Sequence, residues 1–466
     1  MRGIKSFKDG EYMQYLNPYL PSWEYIPDGE PHVFDGRVYI FGSHDMAHGY
    51  VFCQNDYVCW SAPVENLSTW KYEGVIYKKT EDPLNKNGHM VMYAPDVTKG
   101  PDGRYYLYYV LDKANVVSVA VCNTPAGKYE FYGYVKHPCG TYLGEKEGDE
   151  PQFDPGLLTE GDNIYLYTGG DKARKGATVT VLATDMLTII KPPAYIVPGG
   201  GSGEGTSFFG HEFFEAASMR KVDDMYYFIY SSVHMTELCY ATSKHPTKDF
   251  TFGGVIVSNC DLNISTYKSA EKRTYPYGNN HGSIEKINNQ WYVFYHRMSN
   301  GTWFSRQACV ERIEIKPNGK IEQVEMTSQG ASPKPLEGKG IYPSYIACIL
   351  FNDKGQVPKI TQDTRDGEQN QQNCYISDIT DGTVIGFKYF SCKNVKKITL
   401  ITRAYGRGVF EVRNSLDGQI LGSITIVSAN IWTKFSGEVN MPDGINSIYL
   451  MYKGTGNPHL SEFILE

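Results

Sequence analysis

The chain has 466 residues, a formal net charge of −7 and 14% aromatic residues, with 37 Tyr against 6 Trp. That length exceeds one ordinary domain and fits two. Lys and Arg are dispersed rather than gathered into the basic stripe that nucleic acid requires, and no apolar run is long enough to span a membrane, so neither is expected as a partner.

The opening segment MRGIKSFKDGEYMQYLNPYL has no apolar core of signal-peptide length. Ten cysteines are scattered without a CxxC pair, which argues against a zinc ribbon. Several fall in strand-like segments (YVCWSA, SVAVCN, ELCYAT), where a free Cys behaves as a small buried hydrophobe. A reducing, cytoplasmic setting is expected.

From Asp28 onward one phrase recurs: a polar residue, an apolar run, a tight turn and a Tyr-rich strand. The strands begin at Val38 (VYIFGS), Tyr105 (YYLYYV), Ile164 (IYLYTG), Tyr226 (YYFIYS) and Trp291 (WYVFYH), 59 to 67 residues apart. Before them stand Asp35-Gly36, Asp102-Gly103, Gly161-Asp162, Asp223-Asp224 and Asn288-Asn289, pairs that tolerate the positive φ of hairpin turns. All-strand repeats of this length predict a β-propeller of five blades, one per repeat. Nine to eleven residues before each strand stand Asp28, Asp96, Asp154, Glu215 and His281. Because the first strand of a blade lies innermost, these positions are expected to converge at one end of the axis. The Gly-rich stretch PGGGSGEGTSFFG, from Pro198 to Gly210, lies just upstream of Glu215 and is a candidate for the rim.

The propeller is expected to occupy residues 1–325. Residues 326–340, within MTSQGASPKPLEGKG, have a linker composition. Residues 341–466 hold short strands (GTVIGFKYF, KITLITRA, GVFEVRN, GSITIV, SIYLMYK, SEFILE) that predict a β-sandwich of jelly-roll type. The fold class is therefore all-β.

Two carboxyl groups across a pocket suit glycosidic bond hydrolysis: one donates a proton, and the other activates water or attacks. A third carboxylate nearby can hold the acid protonated. Asp28, Asp154 and Glu215 supply this set, with Glu30 the rival of Asp28 and Glu212 the rival of Glu215. Asp96 is either a pocket residue or a hydrogen-bonder between blades.

The motifs DGEPHVFDGRVYIFGSHD, YAPDVTKGPDGRYYLYY, FDPGLLTEGDNIYLY and NNHGSIEKINNQWYVFYHR, in this order over about residues 15–320, resemble glycoside hydrolase family 43. The family usually reads Asp-Pro where this chain has Asp28-Gly29, and Trp where it has Tyr93. The resemblance implies a five-bladed propeller that removes arabinose or xylose from plant polysaccharides with inversion and without a required cofactor. It implies Asp28 as general base, Asp154 as pKa modulator and Glu215 as general acid, with the base and acid roughly 6.5–9.5 Å apart. Asp96, Tyr93, Phe34, His281 and Arg306 become candidates for contact with sugar. His281 is either a satisfied internal histidine or lies, through waters, near a structural calcium ion at the axis.

The C-terminal segments IYPSYIACIL, SDITDGTVIGFKYF, IWTKFSGEV and GNPHLSEFILE resemble a family 6 carbohydrate-binding module. Tyr375, Trp432 and Asn457 are its positional candidates for a sugar site, and a second calcium ion is an expectation there. The expected function is exo-acting release of terminal α-L-arabinofuranosyl groups from arabinoxylan or its oligosaccharides. The alternatives are a β-xylosidase or bifunctional enzyme in the same pocket, a relative acting on galactan or within chains, and a non-catalytic sugar-binding propeller. The presence of all three carboxylates disfavours the last.

Overall fold

The computed structural model describes residues 11–13, 16–169, 175–262, 273–363 and 372–466. Among them the chain is all-β, as expected, with seven sheets and single 3-10 turns at Lys79–Glu81, Pro83–Asn85 and Ser344–Ile346. Ten cysteines are free, eight of them buried.

Five sheets follow one another along the first part of the chain, and in each the Tyr-rich strand lies second from the start of the repeat. The first strands are Glu30–Phe34, Asp96–Lys99, Gly156–Glu160, Phe213–Val222 and Ser283–Ile287. The Tyr-rich strands are Arg37–Phe41, Tyr105–Val110, Asn163–Thr168, Met225–Ser232 and Gln290–Ser299. Each pair is antiparallel. The turn residues explain the hairpins: Asp35-Gly36 takes φ of 48° and 76°, and Asn288-Asn289 takes 48° and 63°. Left-handed values at both positions match the twist of the flanking strands.

First strands of successive sheets touch, and that of the fifth touches that of the first, so the ring closes. The strand period of two then distributes side chains between neighbouring sheets. Tyr105, Leu107 and Tyr109 pack with Tyr39 and Phe41 of the first sheet, while Tyr106 and Tyr108 pack with Leu157 and Leu166 of the third. Buried hydroxyls find acceptors: Tyr108 donates to the Met186 carbonyl at 2.6 Å and Tyr109 to Asp82 Oδ2 at 2.7 Å.

The fifth sheet has three strands, ending with Thr302–Ile313. The incoming chain lies along this last strand, where the Tyr19 amide donates to the Ala308 carbonyl at 3.2 Å. Asn17 is the tie. Its buried amide donates to the Val310 carbonyl, Glu311 Oε1 and the Thr327 carbonyl at 2.8–3.1 Å, and its oxygen accepts from the Val310 amide at 2.9 Å. Upstream, Glu11–Met13 pairs with the outer strand of the first sheet, Thr69–Tyr77, so the entering segment joins the first sheet to the fifth.

From Leu336 onward the chain forms two six-stranded sheets. The expected strands are present, together with the short strands Gly340–Pro343, Ile349–Phe351, Lys359–Thr361 and Tyr375–Ser377 and with Ala429–Glu438, which the apolar pattern missed because it is an edge strand with little buried surface. Residues read as a linker are packed: Met326 and Ser328 are buried, and Leu336–Glu337 pairs in parallel with Val384–Cys392. The core does not stop at this junction. One apolar cluster runs from Tyr240, Val293 and Ile313 into Ile346, Phe387, Leu450 and Phe463. The buried Arg297 crosses with it, donating to the Ala347 and Tyr345 carbonyls at 2.7 and 2.6 Å.

Asn17→Ala removes the tie and leaves buried backbone groups of the last strand unpaired. It should lower stability by about 2–4 kcal/mol, read as a drop in the denaturant or thermal midpoint. An unchanged midpoint would show that the entering segment does not hold the ring.

Candidate active site

At one end of the ring lies a cavity of about 690 Å³. Its walls follow from the topology. First strands begin at this end and Tyr-rich strands finish here, so both the approach to each first strand and the next connection face the same space. The approaches contribute Asp28, Tyr93, Ala94, Asp154 and His281, the start of the fourth first strand contributes Glu215, the connections contribute Phe52, Asp112 and Met235, and the start of the last strand of the fifth sheet contributes Trp303. Arg306, on the last strand of the fifth sheet, completes the wall.

Local backbone aims the carboxylates. Asp28 and Asp154 stand two residues before their strands with φ of 58° and 41°, a region costly for non-glycine residues and frequent at functional sites. Glu215 lies where the pairing of Phe213–Val222 slips twice, on both sides of its partner Ser231. Such bulges re-aim side chains, and Ala216, with φ of 70°, turns its amide to Asp154 Oδ2 at 3.1 Å. Gly156 permits this approach, since a Cβ there would stand 2.2 Å from the Ala217 carbonyl oxygen.

Asp28 is held by charge. Arg306 Nη1 donates to Asp28 Oδ1 at 2.9 Å, while Nε and Nη2 form a fork on Asp45 at 2.8 and 3.0 Å. Burial would raise the Asp28 pKa, but Arg306, with His296 and His281, outweighs it, so the carboxyl lies below its ordinary value and is ionised. Burial dominates at both imidazoles, taking His281 down to about 4 and His296 to about 3, so both are neutral at pH 7. The Asp28 amide donates to His296 Nδ1 at 3.2 Å, which assigns the proton to Nε2, 2.9 Å from the Asn279 carbonyl. The Asn279 side chain in turn donates to Glu215 Oε1 at 3.2 Å. One hydrogen-bonded path thus runs from Asp28 to Glu215. His281 Nδ1 is 3.5 Å from Asp154 and 3.8 Å from Asp28.

Six sequence candidates, Asp28, Tyr93, Asp154, Glu215, His281 and Arg306, therefore meet in one cavity. Two do not. Asp96 opens its strand instead of preceding it by two residues, because the loop 100–104 lengthens that hairpin. Ala94 takes the wall position, and Asp96 sits deeper as a link between sheets, paired with His32 Nε2 at 2.6 Å and accepting from the Leu157 amide at 2.7 Å. Phe34 ends the first strand at its turn and packs against Tyr39 and Tyr105, so it is a core residue outside the lining. The rival carboxylates are also elsewhere. Glu30 is bound by Arg220 and Ser218, both at 3.0 Å, and burial with the nearby Asp96 pushes its pKa above the ordinary carboxylate value. Glu212 accepts from the Gly210 amide at 3.1 Å within the Gly-rich loop, and no residue of 198–210 lines the cavity. Sequence reasoning passed over His296, Asn279, Asp45 and Trp303. His296 and Asn279 lay within the quoted motif NNHGSIEKINNQWYVFYHR, where their polar character in an apolar context was the available signal.

Below His281, the group Glu30, His32 and Asp96 brings ligand atoms within 4.8 Å of one another. Asp96 is committed to His32 and two amides, and Glu30 Oε2 to Arg220 and Ser218. Only the buried Glu30 Oε1 lacks a hydrogen-bond partner. Calcium takes roughly six to eight oxygens, which these side chains do not supply. A second group, His211, Glu237 and Cys239, lies on the fourth sheet and the loop before it, and among the described residues neither group lies in the C-terminal sheets.

In those sheets Tyr375 and Trp432 do meet, with ring centroids 5.4 Å apart. The Arg403 guanidinium covers them both, at 4.8 and 4.3 Å, and is fixed by Asp363 at 2.6 and 2.7 Å. The aromatic surface expected to stack on sugar is occupied by a cation. Asn457 donates to Asp378 Oδ1 at 3.3 Å.

Buried carboxyl groups of unlike surroundings facing one aromatic-rimmed cavity are the equipment of a glycosidase. The sequence profile described as glycosyl hydrolases family 43 matches residues 26–321. The chain belongs to this family. It is 61% identical over 469 residues to a "Xylosidase/arabinosidase" of Thermoclostridium stercorarium, covering 97% of this chain and 99% of that one. An "Arabinoxylan arabinofuranohydrolase" of Paenibacillus polymyxa is 25% identical, over 92% of this chain and 70% of that protein. Among solved structures, a family 43 arabinoxylan arabinofuranohydrolase of Bacillus subtilis in complex with cellotetraose superposes with a TM-score of 0.51 at 20% identity, over 96% of this chain and 97% of that one. A calcium-free β-xylosidase/α-arabinofuranosidase from a compost metagenome, in complex with xylotriose, gives 0.52 at 26% identity, over 67% and 98%. The protein is thus a glycosidase of the xylosidase/arabinosidase type, sharing an all-β architecture with family members that are β-propellers.

Arg306→Lys keeps a charge but loses the fork that serves Asp28 and Asp45 together. Burial then prevails at Asp28, its pKa rises, and the acidic limb of kcat/KM should move to higher pH. At neutral pH kcat/KM should fall by about 10- to 100-fold. A pH–rate profile checks this, and an unmoved limb would separate Arg306 from the ionisation of Asp28.

Proposed function

We propose that the protein is an exo-acting, inverting glycosidase that releases terminal α-L-arabinofuranosyl groups from arabinoxylan or its oligosaccharides. In this reading the five ring-forming sheets are the blades of a propeller spanning about residues 1–325, and the two C-terminal sheets form a β-sandwich. Asp28 is the general base, Glu215 the general acid and Asp154 the group that tunes and orients the acid. The observation that carries the reading is the contrast between the two carboxyl groups of one cavity. Asp28 is clamped by Arg306 and ionised, as a base must be, whereas Glu215 is met by the neutral amide of Asn279. Environments that differ in this way divide acid from base. Eight buried free cysteines agree with a reducing, cytoplasmic setting.

Chemically, Asp28 takes a proton from a water molecule that attacks the anomeric carbon. Glu215 gives a proton to the departing glycosidic oxygen, and Asp154, beside the Ala216 amide, holds the strand that carries Glu215. The neutral His296 fixes the backbone of Asp28 by accepting from its amide, and at neutral pH neither His296 nor His281 adds positive charge. A second reading, β-xylosidase action in the same cavity, is favoured by the double name of the Thermoclostridium stercorarium relative.

Initial rates on aryl α-L-arabinofuranoside and aryl β-D-xyloside decide between the sugars. A higher rate on the arabinoside is expected, and a xyloside preference would keep the mechanism and change the substrate. Glu215→Ala should lower kcat on oligosaccharides by about 10²- to 10⁴-fold, with less loss on an aryl glycoside whose leaving group needs no proton. Asp28→Ala should abolish turnover on both. Glu30→Ala should mainly lower stability, because it strips Arg220 of a buried partner. Full activity in Asp28→Ala would overturn the assignment of the base.

A further inference from the structure

We infer that the C-terminal sheets complete the substrate cleft, providing a second cavity that binds neighbouring sugar units of the chain from which the terminal residue is removed. The inference rests on the reading that the first cavity is where the glycosidic bond is cut. This second cavity, also about 690 Å³, falls within the roughly 300–1,000 Å³ of small-ligand sites. One wall comes from the fifth sheet and the segment before it, and the other from residues 350–359 and Asp378 of the C-terminal part. The two cavities are continuous in one respect that matters: Trp303 lines both.

The lining has the chemistry of neutral sugar recognition. Trp303 is 40% exposed and stands beside Tyr277 with ring centroids 6.3 Å apart, giving flat apolar surface for the C–H faces of a pyranose. Planar polar groups, Asn352 and Gln356, share the wall with them. Two cations, Arg273 and Lys359, are balanced by two anions, Asp353 and Asp378, and Lys359 pairs with Asp378 at 3.0 Å. A polyanionic ligand would call for a surplus of positive charge, which the wall lacks. Tyr275, also in the lining, keeps a buried hydroxyl with no hydrogen-bond partner among the described residues. By contrast, the aromatic pair Tyr375 and Trp432 is covered by Arg403. The C-terminal part thus meets carbohydrate at the junction and not at this aromatic pair.

The test fills the second cavity from its exposed wall, with Val357→Trp and, as a second variant, Gln356→Trp. Val357 is 49% exposed and neither residue lines the first cavity, so folding and turnover of small aryl glycosides should be unchanged. On arabinosylated xylo-oligosaccharides kcat/KM should fall about tenfold, and the gain with backbone length seen in the wild type should vanish. In the inactive Glu215→Gln background, calorimetric titration with xylobiose to xylohexaose should show affinity rising with length, and adding Val357→Trp should flatten it. Identical length dependence in wild type and both variants would overturn the inference. If the wild type turned over neither aryl glycoside, the assigned activity would fall, while the titration would still decide whether the second cavity holds sugar.

Discussion

Two buried guanidinium groups hold the inner ring together at different depths. Arg220 reaches Glu30 at 3.0 Å, Glu285 at 3.2 Å and the Pro31 carbonyl at 2.8 Å, tying the first, fourth and fifth sheets below the site. Arg306 joins the fifth sheet to Asp28 and Asp45 of the first at its rim. Strands meeting at an axis bring backbone and polar side chains where water is scarce, and charges there are tolerated only when paired and hydrogen-bonded. The planar five-donor fork of Arg meets several acceptors at once. The same pairing that closes the ring therefore fixes the ionisation state of Asp28, and the fold and the chemistry share one set of contacts.

The electrostatic design of the cavity is economical in positive charge. Two imidazoles lie against Asp28, yet burial keeps both neutral, leaving Arg306 as the cation beside it. A neutral His296 can accept from the Asp28 amide and donate to the Asn279 carbonyl at once; a protonated ring could not accept. The path through Asn279 to Glu215 therefore depends on burial as much as on sequence. The left-handed turns at Asp28, Asp154 and Ala216 place backbone strain at the same end of the ring.

Much of this was legible in the chain. Turn pairs of Gly, Asn and Asp and strands of period two make the repeat visible, and an offset of ten or eleven residues before the Tyr-rich strand points to Asp28, Asp154, Glu215 and His281. The offset failed at Asp96 because a longer hairpin loop moves the register by two positions, a length change with no compositional mark. Phe34 failed for the opposite reason: it belongs to the motif but sits at the far end of its strand. Phe52 reaches the cavity from a connection and Trp303 from the second residue of the last strand of the fifth sheet, and since the connections differ in length between repeats, no periodicity announces either. Arg403 covering Tyr375 and Trp432 is a tertiary event, invisible when the aromatic residues are read alone.

The apolar cluster that runs without interruption from the fourth and fifth sheets into the C-terminal sheets bears on how such a protein is inherited. A module joined through a polar seam can be shuffled between enzymes, since each half keeps its own interior. Here the seam contains Ile346, Phe387 and Phe463 packed with Val293 and Ile313, and a donor chain would surrender part of its interior with the graft. The C-terminal part is bound to drift in sequence together with the ring it covers, and recombination at this junction would be selected against.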